Sequence, residues 1–515
     1  MRALSELNKE IKADTRIQLA KIGGLIALVA SIVLTISSSV SGAYASYSML
    51  AYLGFYIVSF SGFVVLRKDS SALLLYAVLS SYIWVAYVLK FSLVLFEPEL
   101  ALGLGYSPSD AQSYFRLAVP RFLVLSPALM LFVIGLWFGP VMKTDLMDEN
   151  TRVPGTVNFG FFYLSILGIL ILKLVGQVFF DVGSPIRFGH GLPPLILALY
   201  ELVVQDAIIV LLNVLFFTLL YLRLKRGIII ASAALVANVI LALSAGWKSA
   251  MVLQALTLAY LFFELRNRVS TKAKRRILIF SALFVGLMLV VYPYVNYYRF
   301  ASSQGVDIQT AISKARKSVE TDGRREQGSD SFGILDRIGG IGTYISIIGM
   351  GENKNFPLTS LWGNDFGNMV KYELYGAAAD DVMVQFSATQ FAALFLVGGW
   401  AGLYVGSFLM GMFFRIITSL LANRAFKYAT TFHAYLPLLC FSWLSFLMGG
   451  GKLGIILKEL LVVVVSAMIL ERLVFRKKQA PKLQQGRGPS DDNNIMQPRV
   501  LRHRSKADVR SDGTL

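Results

Sequence analysis

Cations placed where apolar runs end are the residues in this chain best suited to chemistry. Lys248 stands in Ser244-Ala-Gly-Trp-Lys-Ser249, a tight turn between two apolar runs. A lysine fixed there is a point charge suited to a lipid-linked phosphate. It also reads as an interfacial lysine snorkelling beside an interfacial tryptophan. Arg299 ends Tyr292-Pro-Tyr-Val-Asn-Tyr-Tyr-Arg299. Its planar fork can grip a diphosphate with two parallel hydrogen bonds, which lysine cannot do. The plainer reading is an aromatic belt with a snorkelling arginine. Arg337, in an Asp336-Arg337 pair, sits within the glycine-interrupted amphipathic segment Ile334–Ile348 and is expected near headgroups. Pro357-Leu-Thr-Ser-Leu-Trp-Gly-Asn-Asp365 brings Trp362 and amides of the kind that stack on and hydrogen-bond to sugars.

Other ionisable residues are weighed against these. Lys90, Lys173, Glu201, Asp206 and Lys458 fall inside apolar runs, where charge is costly and marks function by default. Three lysines against two acids allow structural ion pairs, with a proton relay as the alternative. Asp307–Glu320 has helical spacing and a basic face, expected to lie along a surface. No phosphate-binding Gly-rich loop, dinucleotide fingerprint, Gly-x-Ser-x-Gly or HExxH occurs. Three scattered histidines and the single Cys440 argue against a zinc centre and against a disulfide framework.

The elements that must position these residues are membrane spans. The chain is 56% hydrophobic and 16% charged, against about 25% charged in soluble domains. Apolar stretches near the length that crosses a bilayer fall at 20–41, 46–66, 71–96, 120–142, 157–179, 194–222, 227–245, 248–265, 276–297, 391–421, 430–449 and 453–473. The expected fold is all-α and integral to the membrane, with about twelve transmembrane helices and one large external loop containing short helices. Segments 194–222 and 391–421 are each long enough to be one tilted helix or two short elements. The first run reads as an anchor. Four regions follow: spans one to nine over 1–297, the loop over 298–390, spans ten to twelve over 391–473, and a disordered tail over 474–515.

Lys/Arg bias sets the expected orientation. Arg2, Lys9, Lys12, Arg16 and Lys21 place the N-terminus in the cytoplasm. Alternation then puts Arg67/Lys68, Lys143/Arg152, Arg223–Arg226, Arg266–Arg276 and Arg424/Lys427 inside with the C-terminus, and residues 298–390 outside. The net charge of +18 resides mainly in these cytoplasmic flanks, which meet anionic lipids. No folded basic domain exists to hold a nucleic acid.

Three features make the layout similar to the oligosaccharide repeat-unit polymerases of O-antigen and capsule synthesis, and more distantly to the O-antigen ligases. Ser244–Ser249 resembles the family's Ser-Gly-Ser-Arg/Lys turn, departing from it at Trp247 and Lys248. Arg299 opens the large loop behind an aromatic helix end. Gln385-Phe-Ser-Ala-Thr-Gln-Phe391, leading into Gly398-Gly-Trp-Ala-Gly-Leu-Tyr-Val-Gly406 and Gly411, resembles the Gly-rich return helix. The resemblance implies an inverting glycosyltransferase of the bacterial inner membrane that needs neither metal nor cofactor. Its donor would be a growing glycan on undecaprenyl diphosphate, its acceptor another lipid-linked unit, and a chain-length regulator a possible partner. Cations facing the leaving diphosphate would be Lys248, Arg299, Arg337 and Lys452, the last in Gly449-Gly-Gly-Lys-Leu-Gly454. Asp365 is the nominee for a base, with Glu373 and His190 behind it. The rivals are a ligase, a flippase or transporter, and a subunit of an envelope complex. Ligases usually offer a histidine in the large loop, and 298–390 has none.

Overall fold

The computed structural model describes residues 2–41, 44–67, 69–89, 111–142, 156–157, 159–180, 208–221, 225–244, 356–362, 389–426, 429–449 and 453–476, with isolated positions between them. The chain divides into two units, Met1–Arg476 and Lys477–Leu515, and the second lies outside the described residues. Within the first, the helices are α1 (Arg2–Ser41), α2 (Tyr44–Val65), α3 (Ser70–Ile83, continued by a π-turn over Trp84–Leu89), α4 (Ala111–Gly135), α5 (Phe159–Phe179), α6 (Ile208–Tyr221), α7 (Lys225–Ser244), α8 (Gln390–Leu420, continued by a π-turn over Leu421–Ala425), α9 (Ala429–Gly449) and α10 (Leu453–Val474). Extended structure among the described residues is a two-residue antiparallel pairing of β1 (Thr156–Val157) with β2 (Phe475–Arg476).

The all-α expectation holds. Five described stretches are long and apolar enough to cross a membrane: Asp14–Ser37, Ser71–Leu89, Phe159–Phe179, Gln390–Ala425 and Thr431–Met448. Shorter apolar helices cover Leu53–Val65, Phe122–Gly135 and Ile229–Leu241. Apart from isolated positions, expected spans at 248–265 and 276–297 and much of 194–222 lie outside the described residues, as does most of the 298–390 segment.

Polar contacts between helices fix their relative sense. Thr35 donates to the Leu123 carbonyl and Ser31 pairs with Ser126, so α1 and α4 run oppositely. Tyr404 donates to Val124 O and Asn423 to Val141 O, so α4 and α8 run the same way. Lys173–Asn238 and Gln177–Leu241 likewise make α5 and α7 parallel. These senses match strict alternation of the expected spans. The Thr156–Arg476 pairing also brings the start of α5 and the end of α10 to one end of the bundle.

Helices α4 and α8 cross closely through glycine. A Cβ at Gly411 would strike the Phe132 carbonyl, and one at Gly135 the Phe408 carbonyl. Packing of small residues against facing backbone is how membrane helices approach one another. Gly411→Val should therefore destabilise the purified protein by an overpacking cost of about 1–3 kcal/mol, read as a lower thermal midpoint. Gly168→Val, at an α5 glycine with nothing within 4 Å, serves as the control. Equal midpoints for the two variants would show that the crossing is loose.

The segment 391–421 is two elements. Gly399 adopts φ 58°, ψ −150°, a backbone conformation closed to side chains other than glycine. Leu394 lies beside both Gly402 and Gly406. Residues 394 and 406 would be about 18 Å apart in a continuous helix. The chain instead folds back, and the half-helix 390–398 lies against the longer limb that follows. Thr389 caps it by accepting from the Ala392 N–H at 3.4 Å, and Thr389, Gln390 and Phe391 are all buried.

Candidate functional site

The polar segment between the ninth and tenth expected spans touches the bundle through a short turn. Pro357 precedes a 3-10 turn, Leu358–Leu361, and Trp362 closes it by donating its N–H to the Thr359 carbonyl at 3.0 Å. The turn is tied down at both ends by backbone. Phe356 N–H donates to Leu396 O in the half-helix (3.2 Å), and Trp362 O accepts from Gly454 N–H in the first turn of α10 (3.3 Å). A Cβ at Gly454 would lie 3.0 Å from that Trp362 oxygen, so a small residue permits the approach. Trp362 stays 60% exposed, so its ring can stack on a ligand.

Below this turn is an apolar groove of about 470 Å³. Leu394 of the half-helix, Leu409 and Phe413 of the long limb, Trp443 of α9, Ile456 of α10 and Leu361 of the turn all line it. Gln390 brings an amide to the wall. The Phe414 and Trp443 rings stack at 4.3 Å, and Trp443 Nε1 donates to Thr418 Oγ1 at 3.1 Å, so the α8–α9 wall is held in place.

Of the residues expected to carry chemistry, Trp362 is the one described. Lys248, Arg299, Arg337, Lys452, Asp365, Glu373 and His190 lie outside the described residues. Trp362 bonds Gly454, which stands two residues along the chain from Lys452. Among the intramembrane ionisables, Lys173 is 4% exposed and its Nζ donates to Asn238 Oδ1 at 2.8 Å. Its described partner is thus an amide. Lys90, Glu201 and Asp206, and the side chain of Lys458, are outside the described set.

Sequence reading missed a buried charge pair. Arg415 Nη2 lies 2.8 Å from Asp69 Oδ2, with both side chains nearly inaccessible. Asp69 caps α3 by accepting from Ala72 N–H (2.9 Å) and also accepts from Met142 N–H (2.9 Å). Arg415 Nη1 donates to Ser419 Oγ at 2.9 Å. Gly139, at φ 147°, lets the chain after α4 pass over the Arg415 side chain, where a Cβ would lie 2.7 Å from Cγ. The signal was available: Asp69-Ser-Ser-Ala before an apolar run is a helix-start pattern, and Arg415 is the one charged residue in 391–421. A second buried polar contact joins Tyr260 to His433 Nδ1, and Asn213 donates to Thr257 at 3.3 Å nearby in sequence.

Comparisons with protein-family models, with curated proteins and with solved structures give no match for this chain. The class defined by its own structure is an all-α bundle with several helices fit to span a membrane, a helix broken at Gly399 and an apolar groove beneath a docked turn.

Proposed function

We propose that this protein polymerises undecaprenyl-diphosphate-linked oligosaccharide repeat units into a surface polysaccharide by inverting glycosyl transfer on the external face of the inner membrane. The observation that supports it most is the docking of the Leu358–Trp362 turn. It places an exposed tryptophan beside the first turn of α10, two residues beyond Lys452, and directly over an apolar groove. A lipid-linked glycan needs these three features together: an aromatic face for sugar, a cation for diphosphate and an apolar wall for the tail. The role of the cations is electrostatic. Lys248, Arg299, Arg337 and Lys452 would stabilise the charge that gathers on the departing diphosphate, while Asp365, or Glu373 or His190, would accept the acceptor hydroxyl's proton. With both termini in the cytoplasm, residues 298–390 meet substrate outside, anionic lipids meet the cytoplasmic flanks, and a chain-length regulator would act from outside.

Deletion of the gene tests the reading. Single repeat units should remain on the lipid acceptor or core, with the ladder of longer glycans gone, as read by gel electrophoresis of surface glycan. An unchanged ladder would sink the proposal, and loss of single units as well would point to a flippase or ligase.

A further inference from the structure

We infer that the groove between α8, α9 and α10 is the seat of the isoprenoid tail of the lipid-linked substrate, an inference that rests on the polymerase reading. Its walls are aliphatic and aromatic, with the Gln390 amide and the Trp443 indole as the polar groups on them. At about 470 Å³ it falls within the range of ligand pockets, about 300–1,000 Å³. Along α8 it extends from Gly406 to Ile416, which is about 15 Å of helical rise. One end, at Leu361 and Leu453, adjoins the Trp362–Gly454 hydrogen bond. A headgroup held beside Trp362 therefore delivers its tail at the groove's end.

The flank is open as well. Leu409, Phe413 and Leu457 line the groove and are all exposed on the bundle's apolar outside. A chain can therefore slide in sideways from the lipid while its charged head stays at the interface and never crosses the hydrocarbon. Met410 and Met412 lie in the wall, and their unbranched, polarizable side chains adapt to the uneven profile of a methyl-branched chain better than rigid residues would. Growth by repeated transfer requires the spent carrier to leave after each step, and a groove open along its flank allows that exit.

The test is photo-crosslinking of the full-length protein in nanodiscs with undecaprenyl phosphate bearing a benzophenone near the first isoprenes. Crosslinked peptides should map to α8 and α10, and undecaprenyl phosphate should compete about tenfold or more better than phosphatidylglycerol. Leu409→Trp and Leu457→Trp, which fill the groove from its mouth, should abolish the crosslink. Val405→Trp, on the exposed face of α8 outside the groove, should keep it. Equal competition by phosphatidylglycerol makes the groove a seat for ordinary acyl chains and overturns the inference. So do crosslinks that map elsewhere, or filled variants that bind like the parent. Failure here stays distinct from failure of the polymerase reading. A lost ladder without groove crosslinks removes the groove alone, whereas groove crosslinks with an unchanged ladder remove the polymerase.

Discussion

Arg299→Lys should abolish most polymer formation and Arg299→Ala nearly all of it, with membrane abundance unchanged in both. Arg299 follows two tyrosines where an apolar run gives way to the polar segment, the position at which a lipid diphosphate would lie. Two parallel N–H donors match two phosphoryl oxygens, and the lysine ammonium keeps the charge but loses the fork. Removing one charged donor from a developing negative charge typically costs about 3 kcal/mol, or about a hundredfold in rate. The ratio of long to single-unit glycan at matched expression is the measurement. At Lys248, where a point charge suffices, arginine should be tolerated and glutamate should not. A normal ladder from Arg299→Ala would reduce Arg299 to an interfacial anchor and move the diphosphate elsewhere.

How much of this was legible in the sequence depends on what physical signal each feature leaves. Spans are written in hydropathy, because the bilayer demands a length of apolar side chain, and helix sense follows from alternation. Thus α5, α8 and α9 fall where the apolar runs 157–179, 391–421 and 430–449 do. The fold-back at Gly399 leaves no hydropathy signal, since both limbs are apolar. Two adjacent glycines announce only permissiveness, and whether the chain turns there is decided by what Leu394 meets on the other limb. The docked turn is legible in part: Trp362 stands out by its chemistry, but its partner Gly454 lies far along the chain and is joined to it by backbone, which no side-chain pattern records. The groove is a property of three helices at once, and apart from Gln390 its lining residues do not differ in type from ordinary lipid-facing ones. Lys173 shows the reverse limit. Its presence in an apolar run was plain, while its partner Asn238, in a different span, could not be read from charge counting.

The second large effect concerns the Asp69–Arg415 pair, and it should be asymmetric. Asp69 is held by two backbone N–H groups as well as by Arg415. Arg415 has Asp69 as its ion-pair partner, bonds neutral Ser419 through Nη1 and has a buried Nε without a hydrogen-bond partner. Removing the carboxylate therefore strands a guanidinium away from water, strips the cap from α3 and frees the Met142 N–H. Breaking such a pair from one side costs about 3–5 kcal/mol, and loss of the cap adds about 1 kcal/mol. Removing the cation instead leaves a carboxylate that keeps two hydrogen bonds, and a methionine in place of Arg415 still fills the space between α8 and the turn at Gly139. Thermal unfolding in one detergent should accordingly rank Asp69→Ala well below Arg415→Met. Within the Asp69→Ala background, adding Arg415→Met should raise the midpoint, because the stranded charge is gone. The double substitution separates a charge effect from a shape effect, since a lock working by shape alone would lose further stability with each change. A double variant less stable than Asp69→Ala would show that the arginine stem, and not its pairing with Asp69, holds the start of α3 and the ends of α4 and α8 together.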